Sequence, residues 1–327
     1  MKGALSSVFA ALLAATALGG TVKELDLAKG YSSYNTISEA VYAPPAGFSL
    51  AVGSLEAAYD RNGEILRRLS KGMFTRGVKA DVDPSIDLAA LLAQAIRAEA
   101  ATMGLPAGDD GATFRLGGQL HDVFLESKQI PYGATLFYGF MDVTLRVERR
   151  GGASRELRFR LHNNFAGWNL GFSRKDEAAD ALMRFLVESA QEIVARLNRE
   201  VFHAPPTPAL VAKRQTIAGA AELPREVVRL VGLSGDQEAV PVLLAALPAR
   251  KSVLDRVEII VALANLGLPA AVEPLAARYD KEDEDCRFAT LKAFDYIGGE
   301  RALALAREKG SADEDNACRS LAGRIAP

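Results

Sequence analysis

The spacing of apolar positions changes character part-way along the chain. Phe48 to Leu55 is an apolar run that ends in a charged turn and predicts a strand. Asp83-Pro84 reads as an N-cap followed by proline at the first helical position. Leu88, Leu91, Leu92, Ala95, Ile96 and Met103 then keep helical spacing, and Gly104 follows as a C-cap would. Phe114, Leu116, Gly118 and Leu120 alternate with polar residues, as do Met141, Val143, Leu145 and Val147, and again Leu157, Phe159 and Leu161. Each alternation predicts a half-buried strand, and Gly151-Gly152 between the last two reads as a hairpin turn. Ser173 with Asp176 opens a final helix whose stripe is Leu182, Met183, Leu186, Ile193, Val194 and Leu197. Strand, helix, three strands, helix predicts an α+β domain, an antiparallel sheet with two helices on one face.

Beyond Pro205-Pro206-Thr207-Pro208 the pattern is helical and repeats. The segments around Gly235, Gly267 and Gly298 align, with spacings of 32 and 31 residues. A period near 30 residues predicts stacked helical hairpins, whose apolar faces are buried only against their neighbours. The expected concave face is set by the second helices, near Val240–Leu243, Val272–Leu275 and Leu303–Leu305. Such stacks present surfaces to other proteins, with Glu273 and Arg301 as candidate contacts.

Two resemblances follow. Arg256 with Leu263, Gly267, Ala271 and Val272, and Arg287 with Phe294, Gly298, Ala302 and Leu303, follow the pattern of HEAT-like repeats, including the subfamily named after phycobilisome lyases. Arg319 with Leu321 and Ile325 looks like a further first helix. That resemblance covers 209–327 and implies an all-α solenoid. Some relatives attach bilin pigments, but no residue pattern here supports that activity. In the first half, the element order, Asp83-Pro84 and the alternating strand Ala112–Leu120 resemble the small α/β domains of Gram-negative envelope proteins, such as the TolB amino-terminal domain and YajG-like lipoproteins. The likeness covers roughly 45–203 and implies an accessory part of an envelope assembly. The lipidated cysteine of the lipoproteins has no counterpart here.

The chain starts Met1-Lys2-Gly3 and runs apolar and small from Ala4 to Gly19, the pattern of a secretory signal peptide cleaved between Ala15 and Gly20. The expected layout is therefore signal peptide 1–19, flexible lead-in 20–44, α/β domain 45–203, proline-rich linker 204–208 and repeats 209–327. The expected location is the periplasm, with no transmembrane segment in the mature chain. Charge is balanced, with 39 basic and 41 acidic residues for a formal net charge of −2, which lacks the basic excess of a nucleic-acid binder. The two cysteines, Cys286 and Cys318, occupy equivalent places in successive repeats and read as buried free thiols.

The candidate chemistry gathers on one sheet face. Arg146, Arg158 and Arg160 share it by alternation, and arginine forks suit anionic lipid headgroups, glycan phosphates or an acidic partner. Tyr138, Phe140 and Asp142 lie farther along, facing Arg160, His162 and Asn164. Pairing Val143 with Leu161 would set Asp142 opposite His162. Exposed aromatics beside a polar pair suggest a face covered by a partner or by the repeats themselves. A catalytic role would make His162 a base oriented by Asp142, without an evident nucleophile. Trp168, in the Gly-flanked stretch Phe165–Phe172, reads as an interaction anchor or as a plug for the core. The acidic runs Asp280–Asp285 and Asp313–Asp315 precede first helices, where carboxylates meet the positive end of the helix dipole. No cofactor or metal is expected. The leading expectation is a non-enzymatic exported scaffold that binds a protein partner in the envelope. The alternative is an accessory subunit binding a small anionic ligand on the arginine-rich sheet face.

Overall fold

The structure, a computed structural model, describes residues 20–34, 37–60, 65–68, 80–109, 111–129, 134–168 and 174–325. The signal-peptide pattern at 1–19 lies outside them. In chain order the first half holds β1 (Gly20–Val22), α1 (Leu27–Tyr34), β2 (Leu50–Ala57), β3 (Leu66–Arg68), β4 (Ala80–Val82), α2 (Leu88–Thr102), β5 (Phe114–Gln129), β6 (Ala134–Arg149), β7 (Ser154–Trp168) and α3 (Arg174–Leu197). The second half holds α4 (Pro208–Arg214), α5 (Thr216–Gly219), α6 (Arg225–Leu233), α7 (Ala239–Ala246), α8 (Val253–Leu266), α9 (Val272–Arg278), α10 (Glu284–Ile297), α11 (Gly299–Ser311) and α12 (Asn316–Arg324). The expected α+β domain followed by a helical solenoid is present.

The sheet is built around the antiparallel meander β5–β6–β7. Two short strands, β2 and β3, add to β5 in parallel, so the connection through α2 is a β–α–β crossover rather than a further hairpin. One face is apolar over most of its length, with the buried Asn163, which donates to Ser189 of α3 at 3.3 Å, as a polar exception. Leu116, Leu120, Met141, Val143, Leu145, Phe159 and Leu161 are all buried there, facing α2 and α3. At Gly139 the bare backbone lets the Phe185 ring lie against the strand, where a Cβ would sit 2.6 Å from the ring.

Helix α2 starts later than the Asp83-Pro84 pair suggests. Asp87 is its N-cap, accepting the amide of Ala90 at 3.0 Å, while Asp83 accepts the backbone and hydroxyl of Ser85 in the preceding turn. The signature was present, one turn too early. Its end at Met103 and Gly104, φ +91°, is as expected.

Two segments expected to lack structure carry it. In the lead-in 20–44, β1 pairs in parallel with β4, α1 follows, and Tyr42 is buried with its hydroxyl donating to the Leu233 carbonyl at 2.5 Å. The linker 204–208 is pinned rather than extended. The Asn198 side chain accepts the Ala204 amide and donates to the Ala204 carbonyl, Pro206 bridges to Tyr42, and the Thr207 amide donates to Val41. Apart from the Asn198–Ala204 pair, these contacts span long sequence separations, which local composition does not register.

In the second half, first helices α6, α8, α10 and α12 alternate with second helices α7, α9 and α11. Three of the first helices are capped by the side chain that precedes them: Ser252 for α8, Asp283 for α10 and Asp315 for α12. The same acidic runs receive the arginines of the preceding unit. Arg256 pairs with Glu282 at 2.9 Å and also with Asp283, and Arg287 pairs with Asp313 at 2.8 Å. Where α6 crosses α8, a Cβ on Gly232 would lie 2.7 Å from the Cα of Ala262, so glycine permits the close approach.

Candidate functional site

Tyr138, Phe140 and Asp142 of β6 share the second sheet face with Arg158, Arg160 and His162 of β7, as alternation predicts. The register pairs Phe140 with His162 and Asp142 with Arg160, a slip of two residues from the pairing that would set Asp142 against His162. A two-residue slip keeps each side chain on its face but changes its neighbour. Asp142 is therefore held by Arg158, in a fork with Nε–Oδ1 at 2.9 Å and Nη2–Oδ2 at 2.6 Å. It does not orient His162.

The repeats cover half of this face. Tyr138, Phe140 and His162 are 9%, 8% and 4% exposed, which removes all three from any external contact surface. The Tyr138 hydroxyl lies 2.5 Å from His162 Nδ1, and His162 Nε2 lies 3.0 Å from Asp295 Oδ2 of α10. The second approach is close but angled short of a well-aligned hydrogen bond. A neutral ring that accepts from tyrosine through Nδ1 and turns its Nε2–H toward Asp295 fits both contacts. Burial lowers the His162 pKa, which the neighbouring Asp295 only partly offsets, and burial raises that of Tyr138. Beside them, the Arg324 guanidinium at the end of α12 lies 4.7 Å over the Tyr138 ring and 5.3 Å over Phe124. It also pairs with Glu126 at 2.7 Å, while its own carbonyl accepts from Arg160 at 2.8 Å. Ring stacking and fork-type pairing of this sort hold surfaces together. A histidine so enclosed is poorly placed to act on a substrate.

The same face of α3 meets the first helices through buried polar groups that the sequence reading missed. Glu99 of α2 is fully buried, accepts from Gln191 at 3.3 Å, and leaves its Oε2 without a partner. Arg229 of α6 donates to the other end of Gln191, and the Tyr296 hydroxyl of α10 donates to the Glu192 carbonyl at 2.7 Å. Burial pushes both Glu99 and Glu192 up to about 7. A signal for Glu99 existed, since it continues the helical spacing of Leu92 and Ile96 on the apolar stripe. Arg199, just past α3, donates to the terminal carbonyls of α8 at 3.2 Å and packs on Gly267.

Every one of these cross-links comes from a first helix or its C-terminal end. The main contacts between the halves run from α3 to α6 and α8 and from β7 to α10, all first helices, and the second helices, expected to line the concave face, are not among them. Residues 208–295 match the family model of HEAT repeats. No curated protein matches the chain. The HEAT repeats thus turn one face onto the chain's own sheet and keep the other open. On the open side Glu273 of α9 and Arg301 of α11 form a fork at 2.6 and 3.2 Å, each side chain 63% exposed.

The uncovered half of the sheet face is less cationic than its arginines suggest. Arg158 is taken by Asp142 and Arg160 by the Arg324 carbonyl. A groove of about 1030 Å³ runs along this half, and its charged lining sets Arg97, Arg115 and Arg146 against Glu56, Asp109, Glu148 and Glu156. That balance does not favour an anion along its whole length. Phe165 to Trp168 continue β7 opposite Phe137 to Ala134, so the start of the expected aromatic loop is strand. Residues 169–172 of that stretch lie outside the described residues.

Glu282, Asp283 and Cys286 bring three potential metal ligands within 4.8 Å of one another. The Arg256 guanidinium already supplies the cation there. Cys286 and Cys318 are buried and free, and burial first of all pushes both thiols up to about 12. Among the described residues no helix is long and apolar enough to cross a membrane.

Proposed function

We propose that the chain is a non-enzymatic, exported scaffold or adaptor whose HEAT repeats bind a protein partner in the cell envelope. One observation carries the reading: the first-helix face of the repeats is closed by the chain's own sheet, which leaves the second helices as the surface on offer. Repeats of this kind serve as extended binding surfaces. Export and a periplasmic location rest on the apolar run Ala4–Gly19 and its small-residue end.

The test uses the full chain, because deleting the repeats would expose Phe140 and His162 to water. Wild type and the charge reversals Glu273→Arg and Arg301→Glu are purified from envelope extracts beside thermal melts. The expected result is loss of a co-purifying protein in each single reversal and in the double reversal, at unchanged melting temperature, because the double reversal restores the pair but inverts both charges that the partner meets. Equal capture by all four proteins contradicts the second-helix surface.

A further inference from the structure

One fully buried carboxylate sits where the α/β half meets the repeats. Glu99, one turn before the end of α2, is 0% exposed, on the side where α2 packs against α3. Its Oε1 accepts from the Gln191 amide of α3 at 3.3 Å, and its Oε2 has no hydrogen-bond partner among the described residues. The other end of the same amide accepts from the Arg229 guanidinium of α6. Gln191 is thus held at both ends, its nitrogen toward a carboxylate and its oxygen toward a guanidinium. The three side chains make one chain of contacts from the α/β half to a first helix. Facing Glu99 itself are the uncharged Gln191 from α3 and Arg229 from α6. Arg229 also acts electrostatically on Glu192 of α3 and Glu258 of α8. The other charges around those two are Glu188 of α3, Lys292 of α10, Arg225 of α6 and Asp255 of α8.

A charged carboxylate needs several donors or a cation in contact, and an enclosed one without them is strongly disfavoured. Glu99 has a single long hydrogen bond from a neutral amide, and Arg229 bonds to Gln191 rather than to it. The closed junction therefore selects the neutral acid. Burial, the largest influence, accordingly pushes Glu99 up to about 7, with Gln191 and Arg229 pulling the other way. When the proton leaves, the charge is satisfied if Arg229 turns from Gln191 to Glu99 or if water enters between the helices. Either event breaks the chain of contacts to α6. The sign follows from linkage: a carboxyl whose folded value is raised keeps the junction closed at low pH and releases it as pH rises through that value. His162 and Asp295 join β7 to α10 and respond in the opposite sense, on the acid side of 6.5, so the two contacts separate on the pH scale.

We propose that Glu99, Gln191 and Arg229 form a proton-operated clasp, closed while Glu99 carries its proton and loosened between α2, α3 and α6 when it is charged. The clasp is independent of the second-helix surface, and either can fail without the other. The measurement is backbone hydrogen exchange of the full chain between about pH 6 and about pH 8.5, each rate corrected for the intrinsic pH dependence of exchange. The expected result is a fall in protection of about tenfold across that range in 95–102 and 225–233, while 299–311 of α11 keep theirs. Glu99→Gln keeps the shape and the acceptor for Gln191 but cannot ionise, so its protection stays level with pH. Arg229→Gln removes the positive charge that favours ionised Glu99, so the fall moves to higher pH, a shift that remains readable if the junction is weaker throughout. Protection that is flat with pH in the wild type, a fall that survives Glu99→Gln, a midpoint unmoved by Arg229→Gln, or an equal loss in 299–311 overturns the inference.

Discussion

The contact between His162 and Asp295 gives the sharpest test of how the two halves are joined. His162 belongs to β7 and Asp295 to α10, and their side chains are 2% and 9% exposed. Substituting His162 by alanine leaves the Tyr138 hydroxyl without its 2.5 Å partner and leaves the Asp295 carboxylate without its nearest donor. A hydrogen bond to a charged group contributes about 1.5–3 kcal/mol, and the imperfect angle at Asp295 places this one near the lower end. The ring also packs on Phe140, with centroids 5.1 Å apart, so the single substitution costs more than the pair alone. The pair is isolated by a double-mutant cycle of His162→Ala and Asp295→Ala in urea denaturation. The expected coupling energy is roughly 1.5 kcal/mol. In thermal melts that coupling corresponds to a few degrees, since about 2–4 °C accompanies each kcal/mol in chains of 150–250 residues. Additive single effects, with coupling below about 0.5 kcal/mol, would refute the argument that this contact ties the repeats to the sheet.

Further outcomes follow from the same interface and from the repeat core. Glu99 and Glu192 are held near 7, against an ordinary 4.5, so the folded chain keeps protons that the unfolded chain releases. Stability should fall as pH rises from about 4.5 to about 7 and then level off, and Glu99→Gln should flatten that slope in pH-resolved urea titrations. His162 acts in the opposite sense: its lowered pKa means stability is lost as pH falls below 6.5 toward the folded value, which the Glu99→Gln protein should show more cleanly. Phe294→Ala should cost about 3–5 kcal/mol and Leu263→Ala about 2–5 kcal/mol, measured by denaturant midpoints, because both side chains are fully buried. Cys286 and Cys318 should resist a thiol reagent in the native chain and react promptly in denaturant, since both are buried with thiols pushed up to about 12.

Much of the architecture was legible in the order of residues. The period set by Gly235, Gly267 and Gly298 marks the ends of first helices, and Gly267 is a left-handed cap at φ +63°. Alternation placed Tyr138, Phe140, Asp142, Arg158, Arg160 and His162 on one face, because side-chain direction in a strand depends only on parity. Their neighbours were not legible. Register is a property of two strands together, and the shift at Leu120/Asp122 in β5 has no local signature. The covering of the face was half visible, since two aromatics on an outer sheet face invite a lid. That the lid would be Asp295 and Arg324, more than 130 residues downstream, follows only from the stacking of the repeats. The lead-in failed for the same reason, because Tyr42 is anchored by Leu233 across 191 positions.

Hydrogen exchange on the full chain, alone and with its captured partner, addresses the central claim most directly. The account predicts new protection in 239–246, 272–278 and 299–311, the second helices. It predicts none around Tyr138, Phe140 and His162, which the repeats already cover in the free chain. New protection confined to the sheet strands, or rapid exchange around Tyr138, Phe140 and His162 in the free chain, would contradict it.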